Sequence, residues 1–233
     1  VYKKINFMKV LLLIFKGFFV INVPILLVII ASDIVIKTSF IYEYDFWRYN
    51  ISESTNIDLK NLREIGKNIR NYFNNDQEYL SIEATVNNEK KYLFNQREIE
   101  HMKDVKNLIN FLNMIGLILG FSLIIFTCLL SFYDKYWKKS FLNLIFLSGL
   151  FSIFLVVGIL GIFLVFFDYF FILFHKISFS NDLWILNPKT DYLIMMFPEN
   201  FFRDATYAIG IISILEFLFF YLIIRYFFRI RVN

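Results

Sequence analysis

His101 and His175 are the only two imidazoles in 233 residues, and they stand almost symmetrically about a short basic loop, Tyr133 to Lys139, that joins two long hydrophobic segments. Folded back from Trp137 as antiparallel helices, those segments carry the histidines 36 and 38 residues along their arms, at similar heights. At ~1.5 Å rise per residue each arm is roughly 55 Å long, against a hydrocarbon layer of ~30 Å and a bilayer of ~40–45 Å with its headgroups. Tilt shortens that reach, so both imidazoles are expected where headgroups and glycerol esters lie. Groups that titrate near neutrality can take a proton from one reacting atom and return it to another. The spacing therefore points to a paired-histidine membrane enzyme.

The elements that would position the pair follow from composition. With 58% hydrophobic residues, three prolines and a mean hydropathy of +0.57, the chain is too apolar for an ordinary soluble domain. Four stretches are long enough to span a bilayer: Phe7 to Ser32, Leu108 to Phe132, Phe141 to Phe167 or a little beyond, and Ala205 to Phe228. The first exceeds the apolar run of a signal peptide and contains Lys16, so it reads as a retained helix. Basic residues flank the spans at Lys3, Lys4 and Lys9, at Lys135, Lys138 and Lys139, and at Arg225, Arg229 and Arg231, which predicts that these three regions face the cytoplasm. Residues Asp33 to Asn107 hold 11 basic and 13 acidic side chains and are expected outside. The +4 net charge is thus a topology signal, with no basic tract pointing to nucleic acid.

The expected fold class is a membrane all-α core of four transmembrane helices with a small α+β extracellular cap. Its parts are transmembrane helix one (1–32), the extracellular cap (33–107), transmembrane helices two and three with the cytoplasmic loop 133–139 (108–174), a second extracellular loop completing the cap (175–204), and transmembrane helix four with a cytoplasmic tail (205–233). Within the cap, Ile34 to Tyr49 reads as a half-buried strand, because Tyr42, Tyr44 and Phe46 alternate with Glu43 and Asp45. Asp58 would cap an amphipathic helix carrying Leu59, Leu62, Ile65, Ile69 and Phe73. Tyr79 to Val86 and Lys90 to Phe94 flank Asn87-Asn88 as a hairpin. Asn95 with Glu98 resembles a capping box, so that one helix runs from there into span two with His101 on its first turns. Asp104, at i+3 from His101, would orient that ring or raise its proton affinity.

After His175 the clusters Ser180-Asn181-Asp182 and Asn187-Pro188 mark turns of an outer loop, and Phe163 to Phe174 holds seven aromatics that would form an interfacial belt or the wall of a lipid-accepting cavity. Cys128 reads as a small apolar core residue. The short-spaced ligand pairs of a zinc site are missing, so no metal is expected. Lys16 and Glu216 both fall roughly 10–14 Å inside the cytoplasmic boundary at ~1.5 Å per residue, which predicts an ion pair between spans one and four. Gly116 and Gly158 lie equally far from Trp137, and Gly116 with Gly120 is a small-xxx-small pair, which predicts that spans two and three approach at mid-depth.

The string Arg97-Glu98-Ile99-Glu100-His101-Met102-Lys103-Asp104-Val105-Lys106, followed by Phe174-His175 and Asp182-Leu183-Trp184-Ile185-Leu186-Asn187-Pro188, resembles the bacterial lipoprotein intramolecular transacylase family, and the likeness covers nearly the whole chain. The resemblance implies an enzyme of the Gram-positive plasma membrane that acts on diacylglyceryl-modified lipoproteins among the membrane lipids. It would move the secondary glycerol acyl chain to the α-amino group of the N-terminal cysteine, giving the lyso-form. It would do so without a cofactor, a metal or nucleic acid. His101 and His175 would be catalytic, with Asp104, Asp182, Trp184 and Arg203 in support. Activity is then expected to fall in acid, around the ~6.5 reference pKa of imidazole, as the neutral ring is lost. Two rival readings predict otherwise. A small transporter subunit would use Lys16 and Glu216 and tolerate loss of both histidines, and a non-enzymatic lipoprotein-binding membrane protein would keep the cap without needing imidazoles.

Overall fold

The computed structural model describes residues 7–86 and 89–230. Lys3, Lys4, Arg231 and the Asn87-Asn88 turn lie outside the described residues, as do the side chains of Lys9 and Arg229. The order of elements is α1 (Phe7–Lys37), α2 (Phe40–Arg48), α3 (Ile51–Thr55), α4 (Leu59–Tyr72), β1 (Glu83–Val86), β2 (Glu89–Tyr92), α5 (Gln96–Tyr133), α6 (Trp137–Ser178), α7 (Tyr192–Met196) and α8 (Glu199–Ile230). Helices α1, α5, α6 and α8 are long and apolar enough to cross a membrane, as the four apolar stretches predict. Hydrocarbon offers no partner for a backbone N–H or C=O, and a helix satisfies both within the segment. Leu117, Phe121, Ile124, Phe154 and Val157 stand exposed along these helices, where lipid tails replace water. The chain divides into two units, one made of the residues up to Ala31, Asn113–Gly161 and those from Ile209, the other of Ser32–Leu112 and Ile162–Ala208.

All four long helices contribute to the core of the first unit: Phe19 and Leu27 from α1, Phe126 and Leu130 from α5, Leu144 and Ile145 from α6, and Phe217 from α8. The Phe19 ring meets Phe126 at 5.1 Å and Phe141 at 5.8 Å, so α1 packs against both α5 and α6. This corrects the expected approach of Gly116 to Gly158. Gly116 instead receives Ile29 of α1, whose Cγ2 would stand 3.0 Å from an added Cβ, while Gly120 and Gly158 have nothing within 4 Å. The tightest small-residue contact joins α6 to α8: a Cβ on Gly149 would lie 1.7 Å from Phe217 Cζ.

Cys128 is exposed and does not belong to the core. Phe126 and Leu130, one turn apart, face inward, and the residue midway between them is carried to the opposite side of α5. The expected pairing of Lys16 with Glu216 also fails. Glu216 Oε2 is buried without a hydrogen-bond partner, and Lys16 acts on Asp134, in keeping with a long side chain that carries its ammonium toward a polar loop. Hydrogen bonds from Ser140 Oγ (2.5 Å) and the Tyr136 N–H (2.8 Å) hold the Asp134 carboxyl below the usual carboxylate range, and Lys16 adds to that effect.

The second unit holds the short elements, with α2 packed on α3 and α4, α3 on α7, and α4 on β1. The predicted strand over 34–49 is replaced by the last turn of α1 and by helix α2. The period explains the difference: Ile41, Tyr42, Asp45 and Phe46 are buried, a helical face, whereas a strand would have buried Tyr44 and exposed Asp45. A strand there would also need a neighbour for its ladder, and a helix satisfies its own backbone. Asn50 and Asn56, with φ of 50° and 54°, turn the chain on either side of α3, positions that asparagine tolerates better than most residues. Asp58 caps α4 through a 3.0 Å bond from the Asn61 N–H, and Leu62, Ile65 and Ile69 are buried as predicted. The hairpin forms with Glu83 opposite Tyr92 and Val86 opposite Glu89.

Asp45 is 1% exposed, and neither of its oxygens finds a donor. Burial first, and then the adjacent Asp204 carboxylate, raise its carboxyl to about 7, with Arg48 opposing the shift. Arg48 Nη1 and Tyr49 Oη each donate to Asp204 Oδ2 at 2.7 Å, which links the end of α2 to α8 beside the buried Asp45. Because this carboxyl binds its proton more tightly folded than unfolded, its stabilisation is complete below pH ~4 and is lost as pH rises through about 7. The Asp45→Asn protein is therefore expected to show a flatter dependence of Tm on pH between 5 and 8, with a higher Tm than wild type at pH 8, in thermal unfolding of the solubilised protein. In the first unit, Gly149→Val is expected to cost about 1–3 kcal/mol by forcing Phe217 aside, while Gly158→Ala, which meets open space, leaves Tm unchanged.

Candidate active site

His101 sits in the second turn of α5, and the start of that helix is unusually well held. Glu98 Oε2 accepts from the Asn95 N–H (2.7 Å) and Asn95 Oδ1 accepts from the Glu98 N–H (3.1 Å), a reciprocal capping box. The other carboxylate oxygen of Glu98 accepts from the Leu193 N–H at 2.6 Å, at the start of α7. Asn95 Nδ2 donates to Asp191 Oδ1 (3.1 Å), and Asp191 Oδ2 accepts from the Asn187 N–H (2.7 Å). Two carboxylates thus bind segment 187–193 to the helix that carries His101. Glu98 is 1% exposed, so the hydrogen bonds are the compensation for burying it.

His175 occupies the last turn of α6, at the end of an aromatic stripe at helical spacing. Phe163, Phe167 and Phe171 follow one another with ring centroids 6.0 and 6.1 Å apart, and Phe171 meets the His175 ring at 4.4 Å. Trp184 stacks on the same imidazole at 4.9 Å and 30°. Phe179 lies 5.1 Å from His101 and 5.8 Å from His175, and the two imidazole centroids are 6.2 Å apart. Both histidines are buried.

The ring nitrogens are not equivalent. His175 Nδ1 lies 2.7 Å from the Phe171 carbonyl oxygen, which can only accept, so Nδ1 carries a hydrogen and the neutral ring keeps its lone pair on Nε2. His101 Nδ1 is buried and unpaired. A buried lone pair without a donor costs less than a buried N–H without an acceptor, which favours the tautomer with hydrogen on Nε2. One neutral ring is then set up to accept a proton and the other to donate a hydrogen bond.

The remaining predicted residues divide. Asp104 accepts from Asn181 Nδ2 at 2.8 Å instead of from the His101 ring, and both line a groove of about 280 Å³ with Asn107, Phe111, Ser178 and Phe179. Phe179 is therefore shared between the groove and the imidazoles. Asp182 contributes its backbone carbonyl, which accepts from the Arg97 guanidinium, and not its carboxylate. Trp184 touches His175 directly. Arg203 pairs with Asp168 (3.2 Å) and Glu199 (3.8 Å) and lies 5.2 Å from the centre of the Phe167 ring, bracing the aromatic stripe and making no hydrogen bond to either imidazole. Among the described residues no group of three histidine, cysteine or acidic side chains is placed to hold a metal ion. Glu98, Asp191, Arg97, Phe179 and Asn181 were not singled out as site residues by the sequence. Only the Asn95–Glu98 spacing carried a signal, and it read as a helix start alone.

A membrane protein with four candidate spans and two imidazoles 6.2 Å apart beside an aromatic stripe is the class these features define. The family model of the lipoprotein intramolecular transacylase Lit matches residues 17–202, and the chain belongs to that family. The membrane integral lipoprotein intramolecular transacylase Lit from Bacillus cereus has the same fold: one structure aligns with a TM-score of 0.76 at 18% identity over 97% of this chain and 100% of that one. A variant of the same protein with a histidine replaced by alanine aligns at 19% identity over 99% and 100%, again with a TM-score of 0.76. Comparison with curated protein sequences finds no match. The protein is a membrane acyltransferase of the transacylase kind.

The bracket at Glu98 makes a measurable prediction. Glu98→Ala removes the acceptor of two N–H groups, each worth about 1–3 kcal/mol if left unsatisfied, and frees segment 187–193 together with the neighbouring Trp184. A loss of roughly 2 kcal/mol or more is expected in denaturant or thermal unfolding, with a loss of activity exceeding that of a surface control such as Glu64→Ala.

Proposed function

We propose that the protein transfers the secondary (sn-2) acyl chain of a diacylglyceryl group to the α-amino group of the cysteine that carries it, giving an N-acyl, lyso-form lipoprotein, with His101 and His175 as the catalytic pair. The observation that carries this reading is the approach of two buried imidazoles to 6.2 Å with opposite roles at their ring nitrogens, on a protein of this family. The neutral amine attacks the ester carbonyl carbon, forming the N–C bond of a tetrahedral adduct. His175 Nε2 accepts the proton from the attacking nitrogen, and the imidazolium passes it to the glycerol oxygen as the C–O bond breaks. His101 Nε2–H donates a hydrogen bond to the oxyanion in between. One proton leaves nitrogen and one arrives on oxygen, so neither a co-reactant nor an acyl-enzyme is required.

Nucleophile and ester belong to one substrate molecule, and holding it folded supplies much of the acceleration. The stripe Phe163, Phe167, Phe171 suits acyl chains, and the groove beside Phe179 offers the Asp104 carboxylate on the approach to His101. The basic flanks support an orientation with both termini and the 133–139 loop in the cytoplasm and residues 33–107 and 175–204 outside, and in the plasma membrane diacylglyceryl lipoproteins and membrane lipids would be its partners.

The test is mass spectrometry of a lipoprotein's N-terminal peptide from cells producing wild type, His101→Ala or His175→Ala. Each variant, verified as folded and inserted, is expected to lower the N-acyl lyso-form by ~10²–10⁴-fold. His101→Gln, which keeps a donor, should retain more activity than His101→Ala, whereas His175→Gln should not recover. Wild-type product from either alanine protein would reject the two-histidine mechanism.

A further inference from the structure

Helix α2 has two faces of opposite character. Ile41, Tyr42, Asp45 and Phe46 are buried, while Phe40 (74% exposed), Tyr44 (40%) and Trp47 (71%) form an uncovered stripe at i, i+4 and i+7. The stripe is ordered by its own contacts: Phe40 and Tyr44 stack at 6.2 Å and 8°, and Tyr44 meets Trp47 at 6.3 Å. Arg48 lies over the Tyr44 ring at 5.6 Å.

The height of α2 is set at both ends. Only Thr38 and Ser39 separate it from Lys37, the last residue of the membrane span of α1. Arg48 and Tyr49 hold Asp204, in the second turn of α8, whose span begins at Glu199. A short helix tied to the ends of two spans, with tryptophan, tyrosine, phenylalanine and flanking cations outward, has the composition that lies at the boundary between headgroups and acyl chains.

We propose that α2 is an interfacial helix that docks on the bilayer surface through Phe40, Tyr44 and Trp47, so that this unit grips the lipid interface in addition to crossing it. Burial of these rings in the boundary layer accounts for an apolar stripe that water alone would penalise. Lys37 and Arg48 flank the stripe in sequence, each paired with a carboxylate, Asp33 and Asp204, at 2.7 Å.

The experiment uses the full-length protein in lipid nanodiscs and takes the Trp47 signal as the difference in tryptophan emission between wild type and Trp47→Phe. Nitroxide-labelled lipids carry the quencher near the headgroup or near the methyl end of the chain, and iodide probes from water. Loss of most of the Trp47 emission with the shallow lipid label, less with the deep label and little with iodide is the expected result. Quenching by iodide with none by labelled lipid would overturn the proposal, placing the stripe in water. Protection from both quenchers would also overturn it, since the stripe would then be covered by a second copy of the chain or by another protein. In support, Phe40→Ser with Trp47→Ser should lower the Tm in nanodiscs more than in detergent.

Discussion

Glu98 is a buried carboxylate that accepts from two backbone N–H groups, one at the start of its own helix and one 95 residues further along the chain. A buried carboxylate is tolerable only when its lone pairs are filled, so this residue holds the start of α5 and the start of α7 in one arrangement or pays a large desolvation penalty. Both catalytic candidates depend on that arrangement. His101 is one helical turn beyond Glu98, and the segment that Glu98 and Asp191 secure continues back to Trp184, which stacks on His175. The second imidazole is fixed from the other side by the helix it ends, through Phe171. Each ring is thus positioned by a rigid element and a packed aromatic, which is how two groups on separate helices keep a separation short enough to serve one reacting centre.

Within the first unit the constraint is different, because lipid tails offer no hydrophobic drive between helices and close packing must replace it. Gly149 lets the Phe217 ring lie against the backbone of α6, and Gly116 receives Ile29. Serine hydroxyls there turn back onto their own helices, as when Ser148 and Ser152 donate to carbonyls one turn earlier at 2.8 Å, while Asn22 Nδ2 of α1 donates across to Ser122 Oγ of α5 at 3.5 Å. Glycine and serine thereby serve as contact surfaces on segments whose composition otherwise says only that they are apolar.

The legible parts of the sequence were those governed by local rules. Span length follows from apolar run length, Asp58 and the Asn95–Glu98 pair announce helix starts, and the strands around residues 87 and 88 announce their hairpin. The illegible parts were decided by partners far along the chain. Alternation at Tyr42, Tyr44 and Phe46 looked like a strand because Asp45 was taken as solvated, whereas its burial against Asp204 could not be read 159 residues away. Gly116 was matched to Gly158 by counting from the loop, yet counting cannot reveal that α1 packs against α5 at that depth. Lys16 and Glu216 share an expected depth, yet Lys16 acts on Asp134 and Glu216 Oε2 has no hydrogen-bond partner. The nearness of the two histidines was legible for a better reason: two arms of nearly equal length leaving one loop constrain height whichever faces touch.

The asymmetry between the two imidazoles then matters more than their number. Two equivalent histidines would compete for the same proton, whereas an Nδ1–H held by the Phe171 carbonyl dedicates one ring to accepting at Nε2, and an unpaired Nδ1 on the other leaves its N–H for donation. The carbonyl of residue 171 is available to the ring because His175 sits one turn later on the same helix, so the side chain folds back along α6 to reach it. Trp184 stacks on the His175 ring and Phe171 meets it edge-on, so the imidazole is held by packing as well as by its Nδ1 bond. In the proposed transfer, a proton taken at Nε2 from the attacking amine would have a short path to the glycerol oxygen of the same substrate, and no step would require charge to leave the site. That is the economy an intramolecular transfer allows: the protein needs to orient one proton carrier and one donor, and the substrate brings both nucleophile and electrophile.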